Sequence, residues 1–110
     1  MTWVNLTPHE ISIIRDGMET VKFPSQGVAR AVQTTELVGE VDGIRITRSA
    51  FGEPVNLPDF QEGVGLIVSL ATISAAKQYG RRTDDLYIVN ETVRNESGQI
   101  VGCRSLAQVD

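Results

Sequence analysis

The stretch Gly65-Leu66-Ile67-Val68-Ser69-Leu70 runs directly into Ala71-Thr72-Ile73-Ser74-Ala75-Ala76-Lys77-Gln78-Tyr79-Gly80, and this junction restricts the fold more than any other segment. A short apolar run with almost no polar alternation suits a strand buried on both faces, since a strand open to water on one side would carry a polar residue at every second position. The residues that follow are small and helix-compatible. Ser69 or Thr72 stands where a helix cap is needed, and Gly80 where the helix must stop.

The rest of the chain reads as short strands separated by turns. Ile11 to Arg15 and Val21 to Phe23 flank Asp16-Gly17 and predict a hairpin. Pro24 ends it because proline has no N–H for the ladder, and Ser25-Gln26-Gly27 supplies turn residues. Further strands are expected over Val28–Thr34 and Ile44–Thr47, with a turn at Asp42-Gly43, then an irregular loop from Phe51 to Gly63. Leu86–Asn90 and Gln99–Arg104 read as strands around a turn at Asn95–Gly98. With no repeat or linker, these elements predict a single domain over residues 1–110. Its class is α+β: a small, curved, mainly antiparallel sheet of about six to seven short strands with one main helix.

Composition narrows the function. The 110 residues are 41% apolar and 22% charged, a globular balance. The longest apolar stretch, Val64 to Ala76, is interrupted by Gly65, Ser69, Thr72 and Ser74 and falls short of the roughly 20 residues that span a bilayer. No membrane partner is expected. One cysteine, Cys103, and no secretion-type N-terminus favour a reducing intracellular setting. The net charge of −4 argues against a nucleic-acid polymer, which is bound through many cationic contacts. Of the basic residues all but Lys22 and Lys77 are arginines, whose forked guanidinium grips phosphates and carboxylates in a way lysine cannot. A local site for a small anion therefore survives the acidic balance.

Catalytic and metal signatures are thin. A zinc site needs three or four clustered ligands, whereas His9 and Cys103 are the sole imidazole and thiol and lie at opposite ends of the chain. A Cys103–His9 nucleophile pair competes with the plainer role of Cys103 as a small core residue. No phosphate-cradling glycine loop occurs, and Asp84-Asp85 are sequence neighbours that ordinarily point apart. No cofactor or metal is expected. What remains is a set of polar turns: Asn5 to His9, Pro24 to Gly27 with Arg30 after it, Gly80 to Asp85, and Gly102 to Arg104. Gly-Arg-Arg-Thr-Asp-Asp offers two forks, a hydroxyl and two acceptors, or else a helix C-terminus whose arginines meet the dipole. Trp-Val-Asn-Leu-Thr-Pro-His at the start is either a strand breaking into a turn locked by His9 or a ligand contact through Pro8 and His9.

In order along the chain stand Asn5-Leu-Thr-Pro-His9, Phe23-Pro-Ser-Gln-Gly-Val-Ala-Arg30, Gly52-Glu-Pro with Leu57-Pro58, Leu66-Ile-Val-Ser69, Arg82-Thr-Asp-Asp-Leu86 and Gly98-Gln-Ile-Val-Gly-Cys-Arg104. This series resembles a family of small accessory proteins encoded by tailed bacteriophages and prophages. The family varies between Thr83 and Leu86, so the resemblance assigns no role to Asp85. It implies a viral protein acting in the cytoplasm of the infected bacterium. By analogy of size and setting, it also suggests an anti-defence sponge that sequesters a small phosphorylated, nucleotide-derived immune signal without chemistry.

Arg30, Arg81, Arg82 and Arg104 would then contact the anion, with Ser25, Gln26 and Thr83 as neutral contacts and Pro8, His9 and Asp84 as further candidates. A homo-oligomer, most simply a dimer, is expected. The alternatives are a protein-interaction or virion-associated module and a small hydrolase using His9.

Overall fold

The structure is a computed structural model describing residues 1–109. Its elements run in the order β1 (Thr2–Asn5), β2 (Ile11–Ile13), β3 (Val21–Phe23), β4 (Gln33–Val41), β5 (Ile44–Phe51), β6 (Val64–Ile67), α1 (Leu70–Gln78), β7 (Leu86–Arg94) and β8 (Ile100–Ala107). Six strands form one sheet in the order β1-β6-β7-β8-β2-β3, and β4 and β5 form a separate two-stranded ribbon.

The strand–helix junction forms as its residues imply. β6 is an inner strand, and the Ser69 hydroxyl caps α1 by accepting from the Thr72 N–H at 3.2 Å. Gly80, at φ +76°, closes the other end. Its N–H donates to the Lys77 carbonyl at 3.1 Å, and the Arg81 N–H donates to the Ala76 carbonyl at 3.0 Å, a Schellman pair of bonds.

The expectation of a mainly antiparallel sheet needs correction. β6 pairs with β1 and with β7 in parallel, and β2 pairs with β8 in parallel, while β7–β8 and β2–β3 are antiparallel. The cause is topological: α1 carries the chain back over the sheet, so β7 enters in the same direction as β6. Among the described residues the strands number eight, because β1 adds to the seven expected.

Alternation along the inner strands builds two apolar clusters. Val64, Leu66 and Val68 face one side and pack with Leu6, Ala29, Ile73, Ala76 and Leu86 beneath α1. Ile67 faces the other side with Ile11, Cys103, Trp3, Ile13, Phe23 and Leu106. Trp3 stacks edge-on against Tyr87 with centroids 4.8 Å apart. Gly65 makes this packing feasible, since a Cβ there would lie 2.5 Å from the Trp3 ring. The second cluster needs no helix because the sheet curls around it until its two ends nearly meet. Just past β3, the Gln26 N–H donates to the Asn5 carbonyl at 2.8 Å, and Ser25 bridges Asn5 at the end of β1.

The ribbon departs from expectation. The strand foreseen over Val28–Thr34 starts instead at Gln33, and residues 28–32 run irregularly, held by paired backbone bonds between Arg30 and Val55. Every residue of β4 is exposed, and in β5 all but Phe51. With little packed against it beyond Phe51 at its base, the ribbon has no buried face to impose alternation, so only the Ile44–Thr47 part of it was legible and the extent of β4 was not. Asp42 and Gly43 at φ 53° and 78° make the two-residue turn anticipated there, with both centres left-handed as a type I′ hairpin requires. The ribbon stretches the molecule to 56 × 39 × 23 Å and its radius of gyration to 16.9 Å, against about 13 Å for a compact chain of this length.

Candidate functional site

Asn5 organises the opening segment. It is fully buried, and its side-chain amide donates to the carbonyls of His9 (2.8 Å) and Phe23 (2.9 Å). Its Oδ1 accepts from the Thr7 N–H (3.0 Å) and the Thr7 hydroxyl (2.6 Å). The turn is therefore locked by Asn5 acting on the main chain of His9, where the sequence pointed to the imidazole of His9. Pro8 and His9 are exposed. Ser25 joins the same knot, its hydroxyl donating to the Thr7 carbonyl at 2.6 Å, and Gln26 contributes its backbone N–H to Asn5 while its side chain faces solvent.

His9 and Cys103 both line a cavity of about 390 Å³ together with Thr7, Glu10, Ile11, Thr92 and Val101. Cys103 itself is buried, and burial pushes its thiol above the ordinary range, away from the thiolate a nucleophile needs.

The loop after α1 spends its forks internally. Arg81 grips Asp85 with both terminal nitrogens (2.9 and 3.0 Å) and also donates to the carbonyls of Arg82 and Pro58, each at 2.6 Å. Asp85 is 4% exposed, which gives it a structural role as a buried counter-ion. The Arg81 Nε is buried without a partner. Arg82 holds Asp84 with two of its nitrogens, and its guanidinium lies 3.6 Å above the Phe60 ring. The Arg82 fork keeps the Asp84 carboxyl below its usual range. Thr83 is half-buried and accepts the Leu86 N–H on its carbonyl at 3.0 Å. Through Pro58 and Phe60 the loop clamps segment 52–63 to the end of the helix.

Arg104 pairs with Asp16 at 3.1 Å on the surface. The candidates thus fall into separate hydrogen-bonded groups: the Asn5 knot with Ser25 and Gln26, the Arg81–Asp85 loop, and Arg104 with Asp16. Arg30 belongs to none of them.

Across the described residues the arginines divide cleanly. Arg15 donates to the Glu19 carbonyl and Arg94 to the Gly98 carbonyl, and Arg81, Arg82 and Arg104 hold carboxylates. Arg30, Arg45 and Arg48 make no side-chain hydrogen bond or ion pair there, and all three are exposed on the ribbon or at its root. Sequence reasoning singled out Arg30 but passed over Arg45 and Arg48. Glu36 and Glu40 lie directly opposite Arg48 and Arg45 across the ribbon, a register that no local sequence pattern announced. Two of the uncommitted cations therefore stand on the ribbon, and Arg30 precedes it.

No protein-family model matches the chain, and neither curated proteins nor solved structures yield a match.

Proposed function

We propose that this protein is a phage accessory binding protein that captures a small phosphorylated, nucleotide-derived ligand without transforming it, as an anti-defence sponge would. The observation that supports it is the division of the arginines: Arg15, Arg81, Arg82, Arg94 and Arg104 are engaged by partners within the chain, whereas Arg45 and Arg48 on β5, and Arg30 ahead of the ribbon, keep their forks open. An open guanidinium needs no rearrangement to take a phosphate, while Arg81 would have to abandon a buried carboxylate that then has no counter-charge. Arg30 is the best-positioned of the three. Its N–H and carbonyl are both bonded to Val55, at 2.9 and 2.8 Å, which fixes the base of its side chain.

The test is isothermal calorimetry of the full chain against ADP-ribose, cyclic dinucleotides and inorganic phosphate at physiological salt. Binding of a nucleotide that weakens at least tenfold in Arg30→Lys or Arg48→Lys, but not in Arg104→Lys, is the expected result. Absence of heat from the whole panel, or equal losses in all three variants, would sink the proposal.

A further inference from the structure

The cavity beside His9 belongs to none of the arginine groups. β2 meets β8 at a single ladder position, Ile13 opposite Cys103, so the segment leading into it leaves the ladder and forms one wall of a cleft of about 390 Å³. The other wall is the β7–β8 pair, from which Val89, Ile100 and Val101 present apolar side chains that are 39, 57 and 48% exposed. Hydrocarbon left in water and gathered in one concavity marks a binding surface.

The polar groups of the lining are uncommitted. The Glu10 carboxylate, the His9 imidazole and the hydroxyls of Ser12 and Thr92 have no hydrogen-bond or ion-pair partner among the described residues. No lysine or arginine lines the cleft, and Arg94 and Arg104, the cations nearest in sequence, are turned to the Gly98 carbonyl and to Asp16. With His9 neutral at pH 7, the lining carries one negative charge, that of Glu10.

We infer that this cleft binds a small organic amine, its ammonium group held by Glu10 and its apolar stem laid over Val89, Ile100 and Val101. Charge decides the class. A phosphate or carboxylate would face Glu10 with no counter-charge beside it, and a neutral ligand would strip water from that carboxylate without replacing its bonds. An ammonium group replaces them with a charge-assisted hydrogen bond. Volume sets the size: at about 30 Å³ per water molecule the cleft holds roughly a dozen waters, and so an amine of about a dozen non-hydrogen atoms.

Tryptamine has that size, and tryptophol and indole-3-acetate carry a hydroxyl and a carboxylate in place of its ammonium. In NMR titrations of the full chain, tryptamine should shift the amide signals of Glu10, Ser12, Thr92 and Val101 and bind at least tenfold more tightly than tryptophol, with indole-3-acetate weakest. Glu10→Gln should lower tryptamine to the level of tryptophol and leave tryptophol unchanged, whereas Glu36→Gln on the ribbon should alter neither. Equal affinity for the amine and the alcohol, undiminished amine binding in Glu10→Gln, an equal loss in Glu36→Gln, or shifts centred on Trp3 and Tyr87 would each overturn the assignment. None of these outcomes depends on whether a nucleotide binds, because the cleft contains no arginine.

Discussion

The side-chain amide of Asn5 donates at 2.9 Å to the carbonyl of Phe23, joining the end of the sheet's first strand to the end of its last. One buried residue thereby does what a run of ladder bonds does elsewhere in the sheet. It also explains why Asn, and not a hydroxyl residue, stands there: only an amide offers two donors to the carbonyls of His9 and Phe23 and an acceptor to Thr7.

Asn5→Ala should cost about 3 kcal/mol, because it leaves buried carbonyls unpaired as well as removing bonds. Asn5→Asp should cost a comparable amount, since a carboxylate cannot donate to either carbonyl. His9→Ala should change stability by less than about 0.5 kcal/mol, as the bonded atom of His9 is its main-chain oxygen. Urea denaturation of the three variants checks all of this. A larger loss in His9→Ala than in Asn5→Ala would contradict the assignment.

Arg81 and Arg82 should respond differently to lysine. Arg81→Lys retains the charge but loses the fork on Asp85 and the bond to Pro58, and is expected to destabilise by about 1–3 kcal/mol. Arg82→Lys, with its partner Asp84 in solvent, should leave the melting temperature nearly unchanged. The sequence alone placed both residues at a helix end and treated them alike. Calorimetric melting of the two single variants separates the cases, and equal shifts would show that the Asp85 pair is not buried.

Glu91 sits in β7 at φ +52°, a left-handed conformation that costs a side-chain-bearing residue about 1 kcal/mol. Glycine relieves that strain, while its larger loss of chain entropy on folding offsets part of the gain. Glu91→Gly should therefore raise stability by up to about 1 kcal/mol, where glycine in a strand ordinarily lowers it. A decrease on chemical denaturation would show that the local backbone is not left-handed.

Cys103 titrates upward because burial disfavours its thiolate. A group whose folded pKa is raised contributes stability that is fully present below the unfolded value, about 8.5 for a thiol, and is lost as pH rises through the folded value. Stability should decline on the alkaline side of about pH 9, and Cys103→Ala should remove that part of the decline. In the native protein at pH 8 the thiol should resist a disulfide reagent that labels it fully in denaturant. Rapid native labelling would place Cys103 at the surface.

Local chemistry written into the chain carried through wherever the decisive forces act between near neighbours. Ser69 and Gly80 bound the helix, Asp42-Gly43 turns the ribbon, and Ile11–Ile13 pairs with Val21–Phe23, because caps, left-handed turns and short hairpins are settled within a few residues. Strand direction was different. The double-sided burial of Leu66 and Ile67 was readable, but that both neighbours of β6 run parallel to it followed from the path of α1 and of residues 6–63, which no local pattern encodes. Asn5 looked like one more turn residue until folding brought Phe23 to it. Arg81, Arg82 and Arg104 looked as available as Arg30, because a guanidinium is free or spent according to which carboxylate packs against it. Only the tertiary structure put Asp85 under Arg81 and left Arg30, Arg45 and Arg48 open to water.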